Sequence, residues 1–443
     1  LLFLSVTKKD TIFLFVLIFK HLKRNTYKEK VPYILVLPKT DTIKKWHELS
    51  YLCSHCRACG VGDYHKLGRV MDNCPSGTYF GHEAFYSYGK MELVRGLNED
   101  IITRPTKGLL EVVYGCTLCG SCSVNCKDHS GLGYRAEDTV KIMEDLRAYL
   151  VEVGWGPLPV QAKYGESVRT NHNPYYEPPQ NRATWTNGSK YPRKAETLYF
   201  VGCTASYRQQ MIARSTVEIF KKLGIEFALL GEDEWCCGSP LLRTGQRKLA
   251  EEVAKHNVDV IRDAGAKRVI TSCAGCYKTL KLDYPKMFGI KADFEILTTA
   301  DLLDSLVKEE KLRFSKPLNL HVTYHDPCHS GRHVSIYLPE LEKERVFGPP
   351  RNVLKTLPGV KLTEMPRNRE LSWCCGAGGG AKSAYPDWAI WTATERLKEA
   401  QEVGAQALVS TCPFCRRNLS DAVEASKIPL KIYDLTELVA QAL

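Results

Sequence analysis

Eighteen cysteines in 443 residues are the part of this sequence best equipped for chemistry, and none stands alone. They fall into four groups: Cys53, Cys56, Cys59 and Cys74; Cys116, Cys119, Cys122 and Cys126; Cys203, Cys236, Cys237, Cys273 and Cys276; and Cys328, Cys374, Cys375, Cys412 and Cys415. Buried structural thiols behave as small hydrophobes with no spacing rule; metal-ligating thiolates keep one. The second group reads Cys-x2-Cys-x2-Cys-x3-Cys, the spacing of a bacterial-type [4Fe-4S] loop in which the fourth cysteine ligates the other cluster of a pair. That rule predicts crossed cubanes, one on Cys53, Cys56, Cys59 and Cys126 and one on Cys116, Cys119, Cys122 and Cys74. Two departures leave the uncrossed assignment open: Lys127 replaces the usual proline, although Cys74-Pro75 keeps that pair, and fourteen residues separate Cys59 from Cys74. A structural zinc site wants ligands in pairs, not a triplet.

The stretches EWCCGS (234–239) and SWCCGA (372–377) give the other two groups five cysteines each. Four thiolates complete a cubane or a zinc site. A fifth beside its neighbour therefore implies an assembly with more thiolate bonds, because adjacent side chains bridge separate irons of an opened cluster more easily than they share one ion. Gly238 and Gly376 are expected to let the backbone turn tightly against that cluster. Gly376-Ala-Gly-Gly-Gly380 is expected to form a flexible approach that could admit substrate. A thioredoxin-type redox pair would need neither Cys203 nor the vicinal cysteines. Near these motifs, His325, His329 and His333 could bond cluster sulfurs or protonate a product thiolate, or serve only as satisfied structural histidines. Arg243, Arg332 and Lys382 could hold an anionic substrate, and Trp235 and Trp373 could shield the clusters from water.

The elements that must position these cysteines repeat. GAKRVITSCAGCYKTL (265–280) aligns with GAQALVSTCPFCRRNL (404–419), and the two WCCG stretches align at nearly the same offset. Each copy opens with an apolar strand running to its first cysteine, LYFVGC (198–203) and LHVTYHDPC (320–328). Helical spacing follows: Ala213, Val217, Phe220 and Leu223, ended by Gly224; Ala250, Ala254, Val258 and Ile261, ended near Gly265; and in copy two Ile390, Ala393, Leu397 and Ala400, ended near Gly404. Alternating strands and helices predict parallel sheets with the cysteines at the carboxyl ends of the strands, where open α/β sheets keep their ligands. Phe85, Tyr88 or Met91, Leu93 and Leu97 suggest a helix between the first two cysteine groups. The fold class is α+β overall: an N-terminal α-helical ferredoxin domain, then two tandem α/β domains with parallel sheets. The expected boundaries are an N-terminal extension at 1–45, the two-cluster domain at 46–153, a linker or extended surface wrap at 154–196, and the copies at 197–312 and 313–443.

The rest of the composition is that of a globular protein. Nine disulfides would require a signal peptide and other spacings; a reducing intracellular setting fits repeated C-x-x-C better. The apolar run Ile12–Phe19 is too short to span a membrane, and its basic cluster follows it. The formal charge of +11 counts cysteines as neutral, so part of the basic excess would compensate buried anionic clusters. No basic helix points to nucleic acid. No flavin or nicotinamide signature appears, so an electron donor must be a separate subunit.

The double pattern of first cysteine, CCG and C-x-x-C resembles the CCG cysteine-rich domain of heterodisulfide reductases, and the whole from about 50 to 440 is similar to their D-type subunit. The resemblance implies two cubane [4Fe-4S] clusters on the first eight cysteines and two noncubane [4Fe-4S] clusters on the quintets. These would pass electrons to a small-molecule disulfide, CoM-S-S-CoB or an analogue, making the protein an oxidoreductase acting on a sulfur group, with all ten quintet cysteines catalytic. It also implies a donor subunit (cytochrome b, flavoprotein or ferredoxin) and a cytoplasmic location, where a partner could hold the chain at the inner face of the membrane. The alternative is an electron-relay subunit between a flavoprotein dehydrogenase (acyl-CoA, lactate or glycolate), or a benzoyl-CoA reductase-type complex, and another carrier.

Overall fold

Among the described residues, seven short strands form two separate parallel sheets. In the first, β1 (Thr197–Phe200), β2 (Arg268–Thr271) and β3 (Glu295–Thr298) lie in the order β1-β2-β3. In the second, β4 (Leu320–Tyr324), β5 (Val360–Leu362), β6 (Ala407–Ser410) and β7 (Lys431–Asp434) lie in the order β5-β4-β6-β7. A parallel bridge from Leu198 to Ala228 occupies in the first sheet the place that β5 takes in the second. The two copies thus share one topology, whose strand order reverses direction beside the first strand. Every residue of β1 and β6 is buried, as expected of parallel strands covered on both faces.

The computed structural model describes residues 37–126 and 136–443. The expectations for the apolar run at 12–19 and for Lys127 lie outside the described residues. Among the described residues no helix is long and apolar enough to cross a membrane.

The copies share a core. Tyr199, Ile270 and Phe220 from the first join Val322, Val409 and Leu438 from the second, each large apolar side chain contributing roughly 1.5–3 kcal/mol on burial. The helix Gln210–Lys222 packs on Leu435–Ala442, and Thr299–Lys308 on Lys343–Thr356, so each copy lends one helix to the other. Gln210–Lys222, Arg247–Asp263 and Pro386–Glu402 match the helices expected from apolar spacing.

Before β1, the regular elements among the described residues are all helices, apart from an isolated bridge between Val61 and Asp72. The helix Ser87–Asn98 buries Tyr88, Met91, Val94 and Leu97, while Phe85 precedes it in a 3₁₀ turn. The long helix Ala136–Glu152 supplies Ile142, Met143, Leu146, Tyr149 and Leu150 to the same core.

The stretch read as a linker or extended wrap is part helix. Pro159–Asn171 and the 3₁₀ segment Pro179–Thr186 carry the buried Gln161, Val168, Arg182 and Trp185. Its apolar positions are too few for periodicity to reveal it. Polar anchors hold it instead: Ser167 donates to the Asn173 carbonyl, and Gln246 to that of Gln161.

Candidate metal centre

Strand ends deliver the cysteines. After β1 the chain turns at Gly202, φ +75°, to start the helix Cys203–Tyr207. Cys273 caps the helix Ala274–Lys278 and Cys412 caps Pro413–Ser426, so each C-x-x-C pair lies at a helix N-terminus, where the backbone field favours thiolate. In the first quintet, Cys203 is in hydrogen-bonding contact with Cys236, Cys236 with Cys237, Cys237 with Cys276, and Cys276 with Cys273. In the second, the contacts run from Cys374 to Cys375, Cys415 and Cys412. Cys328 senses the charges of Cys375 and Cys412.

Both quintets are therefore gathered, and most of their members are buried. Contact with a neighbouring thiolate, together with burial, pushes Cys203, Cys276 and Cys415 well above the ordinary thiol range. Hydrogen bonds from neighbouring thiols pull Cys237, Cys375 and Cys412 below it. Crowded buried thiols cannot all ionise without a cation among them. A donor set of five converging sulfurs fits a multinuclear iron–sulfur core, which would relieve that conflict and hold thiolates deprotonated.

Seven of the first eight cysteines also come together. Cys122 senses Cys119, Cys116, Cys59 and Cys74, while Cys59 senses Cys74, Cys53 and Cys56. Burial lifts Cys59 to about 12 and Cys74 to about 11. Cys56 is exposed, whereas Cys119 is buried. Cys126 is half-buried at the C-terminal end of the helix Ser121–Asn125.

Two contacts join the groups. Cys119 of the N-terminal octet touches Cys374 of the second quintet, and Cys273 of the first quintet touches Cys412 of the second. Spacing alone reveals neither. The glycine run makes the first contact possible. A Cβ on Gly379, whose φ is +62°, would lie 2.5 Å from the Cys116 carbonyl oxygen and 2.8 Å from the Thr117 carbonyl carbon. The run is thus a seat for the ferredoxin loop rather than a flexible substrate approach. Gly376 also turns with positive φ, but a Cβ there would strike the Ala389 carbonyl at 2.4 Å, so helix packing dictates that glycine.

Buried arginines bind the three parts together. Arg147 donates to the carbonyls of Val113, Tyr114 and Cys116, to Arg243 O of the first copy at 2.7 Å, and to Gly379 O of the second at 2.7 Å. Arg332 donates to Cys119 O at 2.9 Å and to the carbonyls of Glu370 and Ser372. Arg243 pairs with Glu144 and Asp283, and Lys278 bonds Asp283 at 2.8 Å. Lys382 bonds Asn418 at 2.6 Å and Asp421 at 2.5 Å. The three basic residues considered for an anionic substrate are thus committed to internal partners.

The histidines divide. One ring nitrogen of His325 lies within 4.8 Å of the Cys375 and Cys415 sulfurs, and His329 and His333 lie equally near Cys328. Burial, reinforced by nearby Arg or Lys charges, holds all three below their usual pKa and hence neutral. Trp373 is buried, while the half-buried Trp235 is stacked between His172 and His256 at 3.8 and 3.6 Å.

One pair escaped the sequence reading. Arg182, from the segment before β1, reaches Cys203 Sγ with two nitrogens at 3.6 Å each and Glu234 at 2.6 Å. The only hint was Glu234 itself, which precedes Trp-Cys-Cys in copy one where copy two has Ser372.

The Cysteine-rich domain family (CCG) matches residues 197–281 and again 322–420. The chain is 44% identical over 335 residues, 75% of this chain and 78% of the relative, to the D-type subunit of the dihydromethanophenazine:CoB–CoM heterodisulfide reductase of Methanosarcina barkeri. The chain belongs to the family of heterodisulfide reductase D-type subunits. It is an iron–sulfur oxidoreductase-type chain, as its cysteine pattern led us to expect. It is also 29% identical to "EtfAB:quinone oxidoreductase" of Syntrophomonas wolfei, over 75% of this chain and 47% of that one. In fold, a hypothetical protein from Helicobacter pylori superposes with a TM-score of 0.51 at 11% identity, covering 99% of this chain and 77% of that one.

Proposed function

We propose that this chain carries electrons from its N-terminal cysteine octet to the paired quintets and there reduces a small-molecule disulfide, of the CoM-S-S-CoB kind or an analogue, to two thiols. The balance is RS-SR′ + 2 e⁻ + 2 H⁺ → RSH + R′SH. The observation that carries this reading is the line of thiol contacts from Cys119 to Cys374, and from Cys412 across to Cys273, which sets two quintets face to face with one of them touching the octet. Iron–sulfur centres held by these cysteines supply one-electron transfer. Cys116, Cys119, Cys122 and Cys74 would hold one cubane and Cys53, Cys56, Cys59 and Cys126 the other. Cys74 neighbours Cys116 and Cys119, as the crossing requires, and Cys59 as well. Each quintet would hold one noncubane centre.

The protein's own residues supply the setting. A narrow cavity lined by Tyr277, Pro327, Gly331 and Thr411 lies between the copies, each of Tyr277, Pro327 and Thr411 adjacent in sequence to a quintet cysteine. The exposed Cys56 makes the first cubane group the side at which a separate donor protein would deliver electrons. Similarity to the Syntrophomonas protein supports a second reading, in which the chain only relays electrons to another carrier.

Anaerobic purification, iron and sulfide quantitation, and EPR of the oxidised protein with and without CoM and CoB thiols test the first reading. A thiol-dependent paramagnetic signal, abolished by Cys273→Ser or Cys412→Ser, is expected. Full iron loading with spectra indifferent to both thiols would leave the relay.

A further inference from the structure

The two quintets share the order of their cysteines, with 32 and 45 residues before the vicinal pair, but differ in what reaches their sulfurs from outside: Cys374 Sγ bonds the neutral Thr117 hydroxyl at 3.4 Å, whereas Cys203 meets a guanidinium. Arg182 is nearly inaccessible, with a side chain 3% exposed, and its two terminal nitrogens both lie 3.6 Å from Cys203 Sγ. Its charge is matched by Glu234, itself 2% exposed, at 2.6 Å. Glu234 in turn accepts from the backbone N–H groups of Val201 and Gly202, both at 2.8 Å, which fixes the turn leading into Cys203. The guanidinium also lies 5.7 Å from the Tyr207 ring centroid, so its position is set on three sides. In the second copy Ser372 stands in place of Glu234. Arg332, whose charge acts on Cys328, directs its N–H groups to the carbonyls of Cys119, Glu370 and Ser372.

We infer that Arg182 is a positioning residue which, through its paired hydrogen bonds to Cys203 Sγ, raises the reduction potential of the metal centre on the first quintet relative to that of the second. The inference rests on the reading that both quintets hold iron–sulfur centres, and it applies whether the chain reduces a disulfide or relays electrons. The physical reason is that an added electron increases negative charge on cluster and sulfur, and hydrogen bonds to ligating sulfur stabilise the charged, reduced form. Because Glu234 cancels the guanidinium charge, the effect comes chiefly from the two hydrogen bonds. The consequence is directional. Electrons entering at the Cys119–Cys374 contact meet the second quintet first, and Arg182 strengthens the far quintet as their acceptor.

The test is an EPR-monitored redox titration of full-length, anaerobically purified protein, with the two signals assigned by Cys203→Ser and Cys328→Ser. Arg182→Gln is expected to shift the electron partition away from the first centre by about tenfold, which is ~59 mV for a one-electron couple, and to leave the second centre in place. Arg182→Lys, which keeps the charge but loses the paired geometry, should shift it in the same direction by less. Glu234→Gln should shift it the opposite way by uncovering the guanidinium charge, a pair of signs that a merely structural role would not produce. Should Arg182→Gln shed iron, Arg182→Lys and Glu234→Gln carry the comparison. An unmoved first centre, or both centres moving together, in iron-replete variants would overturn the inference. Parent protein lacking iron and sulfide at the quintets would instead overturn the reading beneath it.

Discussion

The two CCG copies share one strand topology and one order of cysteines, yet their surroundings differ. At the position three residues beyond the CCG glycine, copy one has Leu241, fully buried in a core with Val168 and Leu249. Copy two has Gly379, pressed against the ferredoxin loop. Copy one is reached by Arg182 from the preceding segment, whereas copy two is reached by Cys119. A duplicated fold thus becomes an asymmetric pair: one copy faces the N-terminal cysteine octet and the other faces a charged clamp. The active arrangement is asymmetric because the N-terminal domain can dock on only one copy at this seat.

The comparison can be broken most severely at Arg147, which ties the octet domain to both copies. Arg147→Met should cost roughly 3–5 kcal/mol, because it strands several buried carbonyls at once, and anaerobic urea denaturation should show it as a lowered midpoint. Next in size is Gly379→Ala, which forces a left-handed residue to carry a Cβ into the Cys116 carbonyl. A cost of ~2–3 kcal/mol is expected, together with slowed electron equilibration between octet and quintets in stopped-flow reduction. The matched substitution Leu241→Ala in copy one should lower stability but leave that equilibration rate alone.

The smallest effect sharpens the comparison at the last helix of each copy. Copy one caps it with Thr298 and Asp301, copy two with Asp434 and Glu437. Asp434 is fully buried and raised to about 7, chiefly by burial and partly by Glu437, against the opposing pull of the Thr436 hydrogen bonds and Arg416. Its folded-state pKa lies above the unfolded value of ~3.9, so the folded state binds more protons between those limits and stability falls as pH rises from about 4 to 7. Asp434→Asn should remove that slope and gain ~1 kcal/mol above pH 7, after allowing for a weaker acceptor toward Thr436. Denaturation midpoints measured across pH 5–8 decide it; a variant retaining the parent's slope would assign the titration elsewhere.

How far the molecule could be read in advance varies with the range of the interaction. The four cysteine groups, the tandem repeat, the strands running into Cys203, Cys273, Cys328 and Cys412, and the helices after each CCG were legible because strand and helix periodicity are properties of neighbouring residues. The segment 159–186 was not, since few apolar residues mark its buried face and polar anchors hold it. Its most consequential residue, Arg182, stands 21 positions from the sulfur it touches and resembles any surface arginine in the sequence. The glycines after the second CCG were visible, but their reason was not. A glycine announces a close approach without naming what approaches.

By itself, then, the sequence determined the chemistry: eighteen thiols in fixed local spacings suited to iron and sulfur, on a fold written twice. Only the tertiary structure decided the order, placing Cys119 against Cys374, Cys273 against Cys412 and Arg182 against Cys203. Ligand spacing follows from backbone geometry over a few residues. The choice of which copy meets the N-terminal octet follows from packing between distant segments, which no local pattern encodes.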